Sequence, residues 1–240
     1  MKGELSYFPP DLLGDCRDHG VTDGRLLVAW SDKETVDPII RANHYSGTTV
    51  WSSFAHFVVF DRDSERVIGA LQYGPPMNPA ASSRIADGLL PNQLAELNRM
   101  WLDDAKPPNT ASRAIAFSVR LLRRQRPFLR AIQSFADSRC GKLGAVYQAA
   151  SFVFLGHHDT TFYELDGEWF HKSALGRKDV DKRGWRCGPR ISRFNRDAHR
   201  ATQHTFRQYR YLRCLDTRLI KQLKLPILPY PKPAEMEKCA

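Results

Sequence analysis

The sequence predicts an α/β fold with a mixed, mainly antiparallel central sheet flanked by helices and a basic carboxyl-terminal extension. Three observations lead there. Short apolar runs of strand length are separated by turn residues; one amphipathic helix sits among them; and the charge balance changes near residue 172. At 240 residues the chain can bury one sizeable core. The expected division is residues 1–171 as the main domain and 172–240 as the extension.

The elements follow in order. LLVAW at Leu26–Trp30 reads as a strand. Lys33 to Ala42 reads as a helix that Pro38 either kinks or opens. TVWSSFAHFVVFD and VIGALQY form a hairpin around the charged turn DRDSER, and after a Pro- and Asn-rich loop LAELNRMWL reads as a central strand. Asn109 and Thr110 then offer capping oxygens to the clearest helix. In it Ala114, Ile115, Ser118, Leu121 and Leu122 recur at helical spacing, with Arg113, Arg120 and Arg124 on another face. The stretch IQSFADSRCGKLGAVYQAASFVFLG is a strand ending at Asp137, a turn through Gly141 and Gly144, a short helix bearing Tyr147, and a further strand. TTFYELDGEWFHK closes the pattern as a hairpin. This order resembles the GNAT (N-acetyltransferase) architecture, with a Rossmann-like sheet as the competing arrangement.

The net charge of +10 is unevenly placed. Residues 172–240 hold 18 Lys/Arg against 6 Asp/Glu, whereas residues 1–171 hold 18 against 20. In the basic third, Arg186, Arg190, Arg193, Arg207, Arg210 and Arg213 alternate with Trp185, Phe194, Phe206, Tyr209 and Tyr211. Cations that displace phosphate counterions, beside aromatic faces that stack on bases, suit a nucleic-acid surface. A solvated basic tail is the plainer reading. No apolar run approaches the roughly 20 residues that span a bilayer, and MKGELSYFPPDLLGD lacks the pattern of a secretory signal. A cytoplasmic protein without a membrane partner is expected. Cys16, Cys140, Cys187, Cys214 and Cys239 are scattered and form no CxxC pair, so they read as reduced thiols.

Four polar stretches fall beside element ends: NHYSG, ELNRMWLDD, PPNTASR and FADSRCGKLGAVYQ. Asp137 stands at the carboxyl end of a strand, the usual ligand edge of an open α/β sheet, although an Asx-turn would also place it there. The helix start with Asn109, Ser112 and Arg113 either binds an anion or is simply capped. Arg99, if buried, needs a partner: Asp137, Glu96 or an anionic substrate. Tyr147 is a core residue or a proton donor hydrogen-bonded to Asp137. His44 closes the first helix. With Asp137 and Tyr147 it would make an N/O ligand set suited to non-haem iron, without the close spacing that would identify a metal site.

Taken together, NHYSG, ELNRMWLDDAKPPNTASRAIAFSVRLLRRQRP, the Asp137–Tyr147 stretch and KLPILPYPK resemble the Mom family of phage DNA-modification proteins. The resemblance implies a GNAT-related fold and conversion of adenine in DNA to N6-carbamoylmethyladenine, which shields phage DNA from restriction in the host cytoplasm. It singles out His44, Tyr45, Asp137 and Tyr147, expected to be catalytic, and Arg99 and Ser112, expected to bind the donor together with Asn109 and Arg113 of the same helix start. In acetyl-coenzyme A enzymes of the GNAT superfamily a Gly-rich loop precedes the central helix; here that place reads DDAKPPNTASR, which disfavours coenzyme A. Carbamoylmethyl is an isomer of glycyl, so glycyl-tRNA is the suspected donor and tRNA a second partner beside DNA. A non-enzymatic DNA-binding protein on a GNAT-like fold is the alternative from another class, and a metal-dependent modification route is a further one.

Overall fold

The computed structural model describes residues 20–141, 143–176 and 188–232. The chain forms two compact units. Among the described residues, the first comprises those up to Phe135 with Gly144–Gly156 and Arg210–Tyr230; the second comprises those within Ala136–Leu143 and His157–Tyr209, and Pro231 and Lys232.

In the first unit the strands β1 (Gly20–Thr22), β2 (Leu26–Ser31), β3 (Ala55–Asp61), β4 (Arg66–Gly74) and β5 (Leu94–Leu102) form a continuous antiparallel meander. The helix α1 (Lys33–Asn43) starts where the Asp32 carboxylate accepts the Thr35 amide at 2.6 Å, and it runs through Pro38. Its buried face, Val36, Ile39 and Ile40, packs on Ala29, Val58, Val67 and Ala70. After the one-turn helix α2 (Ser82–Ile85) and β5 comes α3 (Thr110–Gln125), which buries Ala114, Ile115, Ser118, Val119, Leu121 and Leu122. Asn109 does not cap α3 as its residue type suggested. It takes a left-handed backbone (φ 60°) with no capping bond from its side chain, and the Thr110 hydroxyl donates to the Pro107 carbonyl instead.

The strand β6 (Ala131–Asp137) supplies the parallel pairing with β5, over Leu94–Glu96 against Ala131–Gln133 alone. Beyond Glu96 and Gln133 the two strands continue without pairing to each other, so the sheet forks there. Opposite the fork, the register of β4 with β5 slips between Gln72 and Tyr73, leaving Asn98 as an extra residue with no partner across the strand. Such a bulge re-aims side chains and recurs beside active sites. The short helix α4 (Ala145–Ala149) begins at Gly144, whose φ is 81° and whose missing Cβ leaves room for the Tyr211 ring.

The sequence reading has the strand pattern ending near residue 172. The structure adds a helix α5 (Pro189–Asp197) and a 13-residue strand β9 (Thr202–Cys214), which takes the place between β6 and β7 (Val153–Leu165) in the strand order. Its Arg-rich composition hides it from a hydropathy reading, because only Tyr209, Tyr211 and Leu212 are buried along it. In the second unit β7 and β8 (Glu168–His171) form the expected hairpin, paired from Phe162↔His171 to Leu165↔Glu168. Leu165, Phe170, Ala174 and Phe194 make its core, the rings of Phe170 and Phe194 stacked at 4.3 Å. No described helix is long and apolar enough to cross a membrane.

Candidate active site

In the first unit the fork is occupied by polar side chains. The buried Glu96 carboxylate accepts from Gln133 Nε2 at 2.7 Å, Asn98 Nδ2 at 3.1 Å and the Met77 amide at 3.3 Å. Burial pushes the Glu96 pKa up, against the smaller pull of these hydrogen bonds and of Arg99. Because both amide groups turn their NH2 ends to Glu96, the carbonyl oxygens of Asn98 and Gln133 face elsewhere, buried and without a hydrogen-bond donor among the described residues. Gly74 makes room for Asn98, since a Cβ there would collide with Asn98 Oδ1. Arg210 of β9 is half-buried near the Phe135 ring (5.4 Å), with a buried Nε that has no hydrogen-bond partner among the described residues. Burial lowers its pKa, opposed by the Glu96 charge. Asn98 and Gln133 are the members that sequence reasoning missed as site residues, and Glu96 entered it only as a candidate partner of Arg99. In a strand reading, polar positions 96 and 98 look like a solvent face.

The fork also meets the NHYSG loop. Arg99 donates through Nε to the Thr48 carbonyl at 2.9 Å and through Nη1 to the Asn98 carbonyl at 2.7 Å. Backbone carbonyls thus take up part of the role that Asp137 or Glu96 was expected to fill. Thr48 in turn is tied to Ser46, whose hydroxyl lies 2.8 Å from His44 Nδ1. The His44 and Tyr45 rings pack at 4.2 Å, with Tyr45 itself 59% exposed. The loop is held to the sheet by Gln72, which accepts from the Val50 amide and donates to Asp37. His44, Tyr45 and Arg99 are therefore gathered by one hydrogen-bonded loop.

On β6, Ser134 Oγ donates to the Leu97 carbonyl at 3.1 Å, a side-chain link across the fork. Tyr147 on α4 points its hydroxyl at the Phe135 carbonyl, 3.5 Å away, and its ring lies against Phe152 and Tyr211. A backbone oxygen thus stands where the Asp137 carboxylate was expected as its acceptor. Burial pushes the Tyr147 pKa up, against a smaller effect of the Ser134 hydroxyl. At the start of α3 the Ser112 hydroxyl donates to the Asn109 carbonyl at 3.1 Å, and Arg113 is ion-paired with Asp23. Of the expected donor-binding residues here, Ser112 and Arg113 are thus engaged through their side chains and Asn109 through its backbone carbonyl.

In the second unit Asp137 opens a 3-10 turn: its carboxylate accepts the Arg139 amide at 2.9 Å and meets the Arg139 guanidinium at 3.4 Å. That guanidinium lies over the rings of Phe162 (4.3 Å) and Trp169 (5.4 Å), and Trp169 adjoins His204 and Phe206. A carboxylate, a guanidinium and half-buried aromatic faces are thus gathered on one unit. Of the arginines expected to bind nucleic acid, Arg190 and Arg193 are paired with Glu168 at 2.8 and 2.6 Å, and Arg207 lies 3.8 Å from Asp159. Arg186 falls outside the described residues. No three His, Cys, Asp or Glu side chains come together as a metal-binding group among the described residues.

The model of the Mom protein family matches residues 25–232. The methylcarbamoylase mom of Escherichia phage Mu is 43% identical over 198 residues, 81% of this chain and 78% of that protein. Among solved structures, a ribosomal-protein-S5-alanine acetyltransferase from Vibrio fischeri aligns with a TM-score of 0.47 at 12% identity, covering 83% of this chain and 98% of its own. The spermidine/spermine N-acetyltransferase SpeG from Vibrio cholerae aligns at 0.45 and 12%, covering 82% and 97%.

Proposed function

The chain belongs to the Mom protein family, and from that premise we propose that it is an enzyme converting adenine in DNA to N6-carbamoylmethyladenine, acting in the host cytoplasm to shield phage DNA from restriction. The observation that carries this reading is the 43% identity to a methylcarbamoylase over 198 residues. The Asp137 and Arg139 pair beside Phe162 and Trp169 supports it, since a base whose amine is to react must leave the duplex and stack on aromatic faces.

The donor in this reading is the glycyl ester of a tRNA. The adenine exocyclic amine attacks the ester carbonyl, the carbon–oxygen ester bond breaks, and the tRNA hydroxyl leaves with a proton. The glycyl amine then attacks C6 of the ring through a five-membered spiro intermediate. The original C6–N6 bond breaks, and that nitrogen becomes the terminal amide. Asp137 orients or deprotonates the adenine amine; Tyr147 or Tyr45 protonates the leaving oxygen; Arg99 holds the donor. Coenzyme A is disfavoured as donor because Pro107, Pro108 and Asn109 stand where a glycine loop would approach pyrophosphate.

Nucleoside mass spectrometry of plasmid DNA co-expressed with the protein tests the activity. The wild type should yield an adenosine species heavier by one C2H3NO unit, and Asp137→Asn should lose it. Unmodified DNA from folded wild type would overturn the reading. Adenine carrying heavy nitrogen at the exocyclic position should end with its label in the amide, and a label retained on the ring-attached nitrogen would refute the glycyl route.

A further inference from the structure

The outer face of α3 carries a second basic feature in the first unit. Arg120, Arg123 and Arg124, with Arg213 from β9, line an open groove of about 430 Å³ whose remaining walls are Ala116 and Val119. No carboxylate lies within 4.0 Å of any of the four among the described residues, in contrast to the paired Arg190, Arg193, Arg200 and Arg218. The helix dipole accounts for Arg123 and Arg124 in the last turn. It does not account for Arg213, which is half-buried with a buried Nη1 that has no hydrogen-bond partner among the described residues. Burial lowers its pKa, opposed by the neighbouring Tyr73 hydroxyl, and the Arg123 charge lowers it by a smaller amount. Four like charges in one groove are unfavourable until an anion joins them.

We propose that this groove binds the phosphodiester backbone of a nucleic-acid strand, a contact that rests on the reading of the protein as a DNA-modifying enzyme. Arg120 and Arg124 are separated by about 6 Å along the helix axis, a spacing suited to neighbouring phosphates. Among the described residues no aromatic side chain lines the groove, the Phe117 ring beside Arg120 lying outside its walls, so it holds backbone and leaves sequence unread. The strand is that of the DNA target or of an RNA donor, which share this chemistry.

The test is fluorescence anisotropy across a salt series with single-stranded DNA, duplex DNA and tRNA, comparing the full-length wild type with Arg120→Gln/Arg123→Gln/Arg124→Gln. These exposed helix positions tolerate Gln, and matching circular dichroism and melting would establish that the variant is folded. Loss of three phosphate contacts should flatten the slope of log K against log salt by about 2 to 3. A change on the DNA probes alone assigns the groove to the target, and a change on tRNA alone to the donor. Wild-type binding with an unchanged slope on every probe would overturn the groove while leaving the proposed activity standing. A wild type that binds none of the probes would overturn both.

Discussion

Replacing Glu96 by Ala would remove the acceptor shared by Gln133 Nε2 and Asn98 Nδ2. Met77 is exposed, so water can replace the acceptor its amide loses. The two enclosed amide donors cannot be rescued in that way, and each costs about 1–3 kcal/mol when left unpaired. Removing a buried carboxylate returns part of this, so the expected loss is about 2–4 kcal/mol. For a chain of this size that lowers the melting temperature by about 4–16 °C. Glu96→Gln keeps the volume and an acceptor, and should stay within about 1 kcal/mol of wild type near neutral pH. The pH dependence separates the two effects. Because burial raises the folded-state pKa of Glu96, the folded protein holds that proton more tightly than the unfolded chain. Its contribution to stability therefore falls as pH rises from the ordinary carboxylate range through the raised value, and is level above it. The Gln variant does not titrate there, so it should gain on wild type across that window in thermal melts. An Ala variant melting within about a degree of wild type, or a Gln-minus-wild-type difference flat across the window, would refute the account of the fork.

Gly74→Ala should cost about 1–3 kcal/mol by overpacking, measured by urea unfolding, since the new Cβ would collide with Asn98 Oδ1. Asp137→Asn keeps an acceptor for the Arg139 amide but loses the charge opposite its guanidinium. It should lower stability by about 1–3 kcal/mol in the same assay while leaving far-ultraviolet circular dichroism unchanged. Arg190→Gln and Arg193→Gln break exposed pairs with Glu168 and should each cost under about 1 kcal/mol. Already neutralised, they should change the salt slope of nucleic-acid binding less than the three substitutions on α3 do.

Local pattern alone determined much of this protein. Short apolar runs marked β2, β4 and β5, helical spacing marked α1 and α3, and turn chemistry placed Asp137 at a strand end and Tyr147 on a short helix. These features are legible because each depends on neighbours a few residues away. The tertiary structure decided the rest. Glu96 meets Gln133 through strand pairing across 37 residues, and Asn98 is displaced by a bulge that no composition announces. The strand β9 is hidden in the sequence because its arginines mask an element whose burial comes from its place in the sheet. Charge was equally ambiguous: the sequence counts arginines, but whether one is free to meet a phosphate depends on the carboxylates that folding brings near. Glu168 claims Arg190 and Arg193, whereas Arg120, Arg123, Arg124 and Arg213 converge with no described carboxylate at hand, and only long-range packing could make that distinction.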